Sequence, residues 1–191
     1  LFRYSGAAAD TTKLDWDSID AALFDDTENI EYENMNFEVS GSLLFGIDPI
    51  VALTATFDLK SFSNQGIDDG TTAAAGQTVG ALTGASLLTL SLSDLNFFAG
   101  VGGTVANDLF EVDPDAVGIE VTEGTLNLAI VTEAGLTTRS WMGVNGTVTR
   151  AGLIGIDAFG ISIEELAFRF SGAATDGTKL DWDAISQVSA L

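Results

Sequence analysis

Carboxylates are the only abundant reactive side chains in this sequence: 28 Asp and Glu stand against 7 Lys and Arg, and there is neither histidine nor cysteine. Three of the acids recur, Asp10, Asp15 and Asp17 returning as Asp176, Asp181 and Asp183. On an extended segment Asp15 and Asp17 send their carboxylates to the same side, and an all-oxygen donor set suits calcium. A denser acidic group follows at Asp25, Asp26, Glu28, Glu31 and Glu33. None of these matches the EF-hand spacing or the glycine-rich nonapeptide of calcium β-rolls. Solvated charge or backbone capping by Asp is the commoner use of such residues. Ca2+ is the one cofactor the residues suggest.

The same inventory excludes much. Without His or Cys there is no Ser-His-Asp or Cys-His arrangement, no imidazole-ligated zinc and no disulfide. A carboxylate pair suffices for glycoside hydrolysis, but among 28 acids pairs at a suitable separation arise by chance, and no enzyme is expected. A formal charge of −21 repels phosphate backbones, so nucleic acid is excluded as a partner. No apolar stretch is long enough to span a bilayer, and membrane insertion is not expected. Trp16, Trp141 and Trp182 offer a sugar-stacking platform, but Trp16 and Trp182 hold equivalent places in a repeat, which favours packing. Asn145-Gly146-Thr147 is formally a glycosylation sequon and reads more simply as a turn or bulge. Gly100-Val101-Gly102-Gly103 lacks a phosphate-binding context and reads as a turn or a close backbone approach.

The elements that must position these residues are strands. An apolar share of 46% with twelve Phe supplies a core, and the dominant pattern is period-two alternation. Phe37, Val39, Leu43 and Phe45 share one face of 36–46; Val51, Leu53, Ala55, Phe57 and Leu59 share one face of 50–60; Leu88, Leu90 and Leu92 repeat the pattern. Glu123-Gly124 reads as a two-residue hairpin turn between Val117–Val121 and Leu126–Ile130. Further strands are expected at 136–149, 152–158 and 160–170. In the last, the apolar positions change from odd (Ile161, Ile163) to even (Leu166, Phe168, Phe170), which predicts a bulge or bend at Glu164-Glu165. Residues 64–84 read as a Gly/Ala/Thr-rich surface loop. Asp17 is placed to cap one short helical turn after Trp16.

The chain ends as it begins. Residues 2–21, FRYSGAAADTTKLDWDSIDA, and 168–187, FRFSGAATDGTKLDWDAISQ, agree at 14 of 20 positions. The offset, 168 − 2 = 166 residues, makes 1–166 one full repeat unit and 167–191 the start of the next. Such a period belongs to tandem arrays, and since Leu1 is not an initiator methionine, the native N-terminus is expected upstream. Phe2, Tyr4, Trp16, Phe168, Phe170 and Trp182 are the candidate repeat-junction residues. Asp10, Asp15, Asp17, Asp176, Asp181 and Asp183 are the candidate metal ligands.

The order FFAGVGG (97–103), AVGIEVTEGTLNLAIV (116–131) and GLIGIDAFGISIEELAFRFSGAATDGTKLDWDAI (152–185) resembles the long tandem repeats of giant bacterial exported, adhesin-like surface proteins. NFEVSGSLLFGI (36–47) followed by VALTATFDL (51–59) resembles a strand pair of the same repeats. The resemblance covers most of the chain and supplies no catalytic residues. It implies an all-β repeat unit, β-sandwich-like or of stacked antiparallel sheets, with minimal helix and located outside the cell or at its surface. The function it implies is structural: a filament, sheath or adhesin stalk whose partners are neighbouring copies of the repeat. A module binding surface polysaccharide through exposed aromatics is the alternative, and the exposure of Trp141 separates the two.

Overall fold

A computed structural model describes residues 1–7, 13–14, 35–68, 81–106, 109–135, 139–156 and 158–185. Among the described residues period-two alternation becomes seven strands: β1 (Phe2–Tyr4), β2 (Met35–Ile47), β3 (Val51–Asp68), β4 (Ala81–Ala106), β5 (Leu109–Thr132), β6 (Ser140–Ile154) and β7 (Ser162–Gly172). Each pairs antiparallel with the next in chain order, giving one open meander with β1 and β7 at its edges. The expected all-β, antiparallel architecture is present. The described strands form a single sheet, without a second sheet opposite. A 3-10 turn at Trp182–Ala184 is the one helical element among the described residues.

Register explains how one face stays apolar. β2 and β3 pair without interruption from Phe37↔Ser61 to Ile47↔Val51, so their odd apolar positions lie together. β4, β5, β6 and β7 change parity midway, and at the change in β4, β5 and β7 stands a left-handed acidic residue: Asp94 (φ 51°), Glu123 (φ 54°) and Glu165 (φ 54°). An extra residue in a strand flips the faces of all later residues in that strand, and here it keeps the aliphatic positions in phase. The bend expected at Glu164-Glu165 is therefore found. The hairpin expected at Glu123-Gly124 is not: β5 runs through it, with Thr122↔Arg150 and Gly124↔Val148 both on β6. A type I′ turn needs two consecutive residues at positive φ, and only Glu123 has it. The strands expected at 136–149 and 152–158 are likewise one strand, β6, over Ser140–Ile154, with Asn145 inside it and hydrogen-bonded to Asn127 (3.0 Å). Of the loop expected at 64–84, residues 64–68 belong to β3 and 81–84 to β4, and 69–80 lie outside the described residues. The helical turn expected after Asp17 lies outside the described residues.

The core sits on the other face, at one end of the strands. Phe62, Leu87, Val131 and Trp141 form one row across β3–β6. After β7 the chain returns across this row and buries Ala174, Leu180 and Ile185 against it, with Trp182 alongside. Full burial of a Leu or Ile side chain is worth about 1.5–3 kcal/mol, so this returning segment is a substantial part of the fold. At the opposite end Phe98 is fully buried, and a Cβ on Gly103 would run into its ring. Gly100–Gly103 is thus a close approach, bonded through Gly100 N–H to Ile50 O at 2.8 Å.

Candidate functional site

The repeated block occupies both edges of the sheet. Phe2, Arg3 and Tyr4 form β1, paired to β2 as Phe2↔Val39, Arg3↔Glu38 and Tyr4↔Phe37. Their counterparts Phe168, Arg169 and Phe170 lie in β7, paired among the described residues on one side only, to Gly146, Asn145 and Val144. Phe2, Tyr4, Phe168 and Phe170 are all exposed. The structure therefore separates the candidate junction residues into two edge pairs, with Trp182 lying apart on the returning segment; Trp16 lies outside the described residues.

Behind β1 an ionic chain crosses the polar face. Arg3 Nη1 meets Glu38 Oε2 at 3.3 Å, Lys60 Nζ meets Glu38 Oε1 at 3.4 Å, and Lys60 also meets Asp58 Oδ2 at 2.7 Å. Glu38 is only 6% exposed, and a buried carboxylate requires such cations. Burial alone pulls the Lys60 ammonium down, but its hydrogen bond to Asp58 and the charges of Asp58 and Glu38 outweigh this and hold its pKa above the ordinary lysine value. Lys13, from the first copy of the block, donates to Met35 O and Asn36 Oδ1, both at 2.7 Å, at the start of β2. Partial burial lowers its pKa.

The second copy of the block contacts a different part of the sheet. Trp182 lies over Gly143, where an added Cβ would come within 2.7 Å of the indole, and its Nε1 donates to Ser171 Oγ at 3.2 Å. Trp141 is buried, 1% exposed, and its Nε1 donates to Thr178 O (3.1 Å) and Thr178 Oγ1 (3.2 Å). Arg139 lies over the Trp141 ring at 5.0 Å. Between β6, β7 and this segment is a cleft of about 280 Å3 lined by Asn145, Arg169, Phe170, Ser171, Asp181 and Trp182 among others.

The candidate carboxylates do local structural work where they are described. Asp176 Oδ1 accepts from Thr178 N (3.0 Å) and Thr178 Oγ1 (2.6 Å). Those bonds, with the nearby Arg139 charge, hold its pKa below the usual Asp value. Its 3.2 Å contact to Arg139 Nε is an ion pair without in-line hydrogen-bond geometry. Asp181 caps the 3-10 turn by accepting from Asp183 N at 3.2 Å. Among the described residues no three acids gather in a metal-binding group. Asp10, Asp15 and Asp17 lie outside those residues.

The opposite face of the sheet is apolar. One row runs Phe2–Val39–Leu59–Leu90–Leu128–Val144–Phe170 across all seven strands. Beyond the bulges a second runs Phe45–Leu53–Phe97–Val121–Ala151–Ile163, and neither row contains a charge. Phe45 is 50% exposed and Ile163 45%. The alternation pattern predicted the bend in β7 alone, although the same parity change is written in Leu92/Leu95 and Val121/Leu126. It gave no sign of the Arg3–Glu38–Lys60 chain, whose members come together only through register.

No family model, no curated protein and no solved structure matches this chain.

Proposed function

We propose that the chain is a structural repeat unit of an extracellular bacterial filament, sheath or adhesin stalk, in which β-rich repeats pack end to end. One observation carries the reading: the two copies of a single block make complementary contacts. The copy at the end packs Leu180, Trp182 and Ile185 onto the strands that precede it. The copy at the beginning pairs Phe2–Tyr4 with β2 and places Lys13 against Met35 and Asn36, in strands that come after it. Between two successive periods one block would make both sets of contacts and clasp one sheet to the next. The burial of Trp141, the aromatic on which the polysaccharide alternative turned, also favours a structural role.

A chain of two periods tests this. Continuation of the sheet adds six strands per period, roughly 29 Å at about 4.8 Å per strand, and the two periods should unfold in one transition. Small-angle scattering showing two independent bodies on a tether, each melting separately, would remove the proposal. Calcium as a rigidifying ligand is decided by melting with and without a chelator; an unchanged Tm removes it.

A further inference from the structure

We propose that the open edge of β7 accepts β2 of a second copy of this chain, in the register that β1 holds within its own copy, with that copy's β1 displaced. The inference rests on the end-to-end reading above and assigns it a partner strand and a register.

The backbone geometry fits. Leu153 N donates to Ile161 O at 2.9 Å, so Ile161, on the apolar face, turns its peptide groups toward β6. Residues of a strand that share a face turn their peptide groups to the same side. Phe168 and Phe170 share that face and therefore also point to β6, leaving Arg169 and Ser171 to present N–H and C=O groups at the open edge. In β1 the same block positions engage β2: Ser5 N donates to Asn36 O at 3.0 Å, and Ser40 N donates to Leu1 O at 2.9 Å. β1 and β7 run in the same direction in the meander. The open edge of β7 is thus the edge that β1 uses.

The side chains fit as well. Arg3 pairs with the nearly buried Glu38, whereas its counterpart Arg169 has no carboxylate partner among the described residues. A second copy's Glu38 would supply one. The competitor is weak, because β1 is three residues long and Phe2 and Tyr4 are each 69% exposed. β7 is the longer template: in the β1 register it would pair from Ser171 opposite Asn36 to Leu166 opposite Gly41 before Glu165, at positive φ, bends the strand. An unpaired edge of this kind invites strand addition. Two chains of charge −21 repel at long range, so association between separate copies strengthens as salt rises.

The absence of cysteine makes cross-linking clean. Phe2↔Val39 and Tyr4↔Phe37 lie between hydrogen-bonded pairs, where opposed Cβ atoms come closest and a disulfide closes. Full-length chains carrying Phe168→Cys or Phe170→Cys are mixed with chains carrying Val39→Cys or Phe37→Cys and oxidised in high salt. The mixtures F168C with V39C and F170C with F37C should give a disulfide-linked dimer at least about tenfold faster than the crossed mixtures. Because the crossed mixtures use the same four proteins, a folding defect cannot imitate that pattern. Removing residues 1–6 from the chain that carries V39C or F37C, whose β2 is then uncovered, should raise the in-register yield further. Assembly by sedimentation with equal rates in all four mixtures, or with no cross-link, overturns this register and leaves the end-to-end reading standing. No assembly at any concentration or salt, even with residues 1–6 removed, overturns this proposal, and the two-period chain then decides the end-to-end reading by itself.

Discussion

Asn96 and Glu123 tie two neighbouring bulges together: the Asn96 Oδ1 accepts from the Glu123 backbone N–H at 3.2 Å, while its Nδ2 donates to Asp94 O at 3.0 Å. Both Asp94 and Glu123 hold positive φ, and Thr149 Oγ1 satisfies Glu123 O from the other side at 3.1 Å. A bulge leaves ladder groups unpaired, and these side chains take them up. The row of bulges is therefore a built feature that keeps the apolar positions of long strands on one face.

Glu123→Gly should accordingly stabilise the chain. A non-glycine residue in the left-handed region costs about 1–2 kcal/mol, of which glycine's greater unfolded-state freedom returns part. A gain of about 0.5–1 kcal/mol in a urea titration is expected. Asn96→Ala should lose a similar amount, since its bonds lie at the surface and water replaces them in part. A loss on Glu123→Gly would mean that the Glu side chain, and not the backbone, holds the bulge.

The strands were legible because alternation is local: Phe37, Val39, Leu43 and Phe45 announce β2 by themselves. The break at Glu123-Gly124 was misread because an acidic residue before glycine looks the same whether it closes a hairpin or bulges a strand. Partner strands decide that, and partners are remote in sequence. The paired edges were visible in the duplicated FR(Y/F)SG. The Arg3–Glu38–Lys60 chain was not, since it joins positions up to 57 residues apart (60 − 3) that only the register aligns. The role of Asp181 was half legible: capping was the competing reading, and it is the one the 3-10 turn displays.

Gly143 is the platform for Trp182. An alanine Cβ there would lie 2.7–3.0 Å from three atoms of a rigid ring, and such overpacking costs about 1–3 kcal/mol. Gly143→Ala should lower the denaturation midpoint and red-shift the tryptophan emission. In a Trp182→Ala background the same change should cost little. Equal losses in both backgrounds would show that the glycine serves β6 itself and not the returning segment.

The pH dependence has two identifiable ends. The Asp176 pKa is depressed by Thr178 and Arg139, so its contribution to stability is present above the ordinary Asp value of 3.8 and is lost as pH falls through the lower folded value. Lys60 is raised above 10.5, so its contribution is full below 10.5 and is lost as pH rises through the higher folded value. The stability difference between the wild-type chain and Asp176→Asn should be constant from neutral pH to about pH 4 and shrink below it. For Lys60→Met the difference should shrink only in strong alkali. A Lys60→Met difference that already falls between pH 7 and 9 would contradict the assigned ion pairs.

The apolar face should govern solution behaviour of the single chain. Monomeric proteins rarely expose contiguous apolar patches beyond a few hundred Å2, and here uncharged rows cross every strand from Phe2 to Phe170. The wild-type chain should bind a hydrophobic dye strongly and self-associate as concentration rises. Ile119 is 53% exposed in the row Ile47–Val51–Ala99–Ile119–Leu153, so Ile119→Lys places a charge in that face. It should cut dye binding and association while changing stability by about 0.5 kcal/mol or less, as exposed substitutions do. Asn127→Lys, on the polar face, is the matched control and should leave dye binding unchanged. A wild-type chain that binds no dye would show the face to be covered, and an equal response to both lysines would make net charge the cause instead of the face.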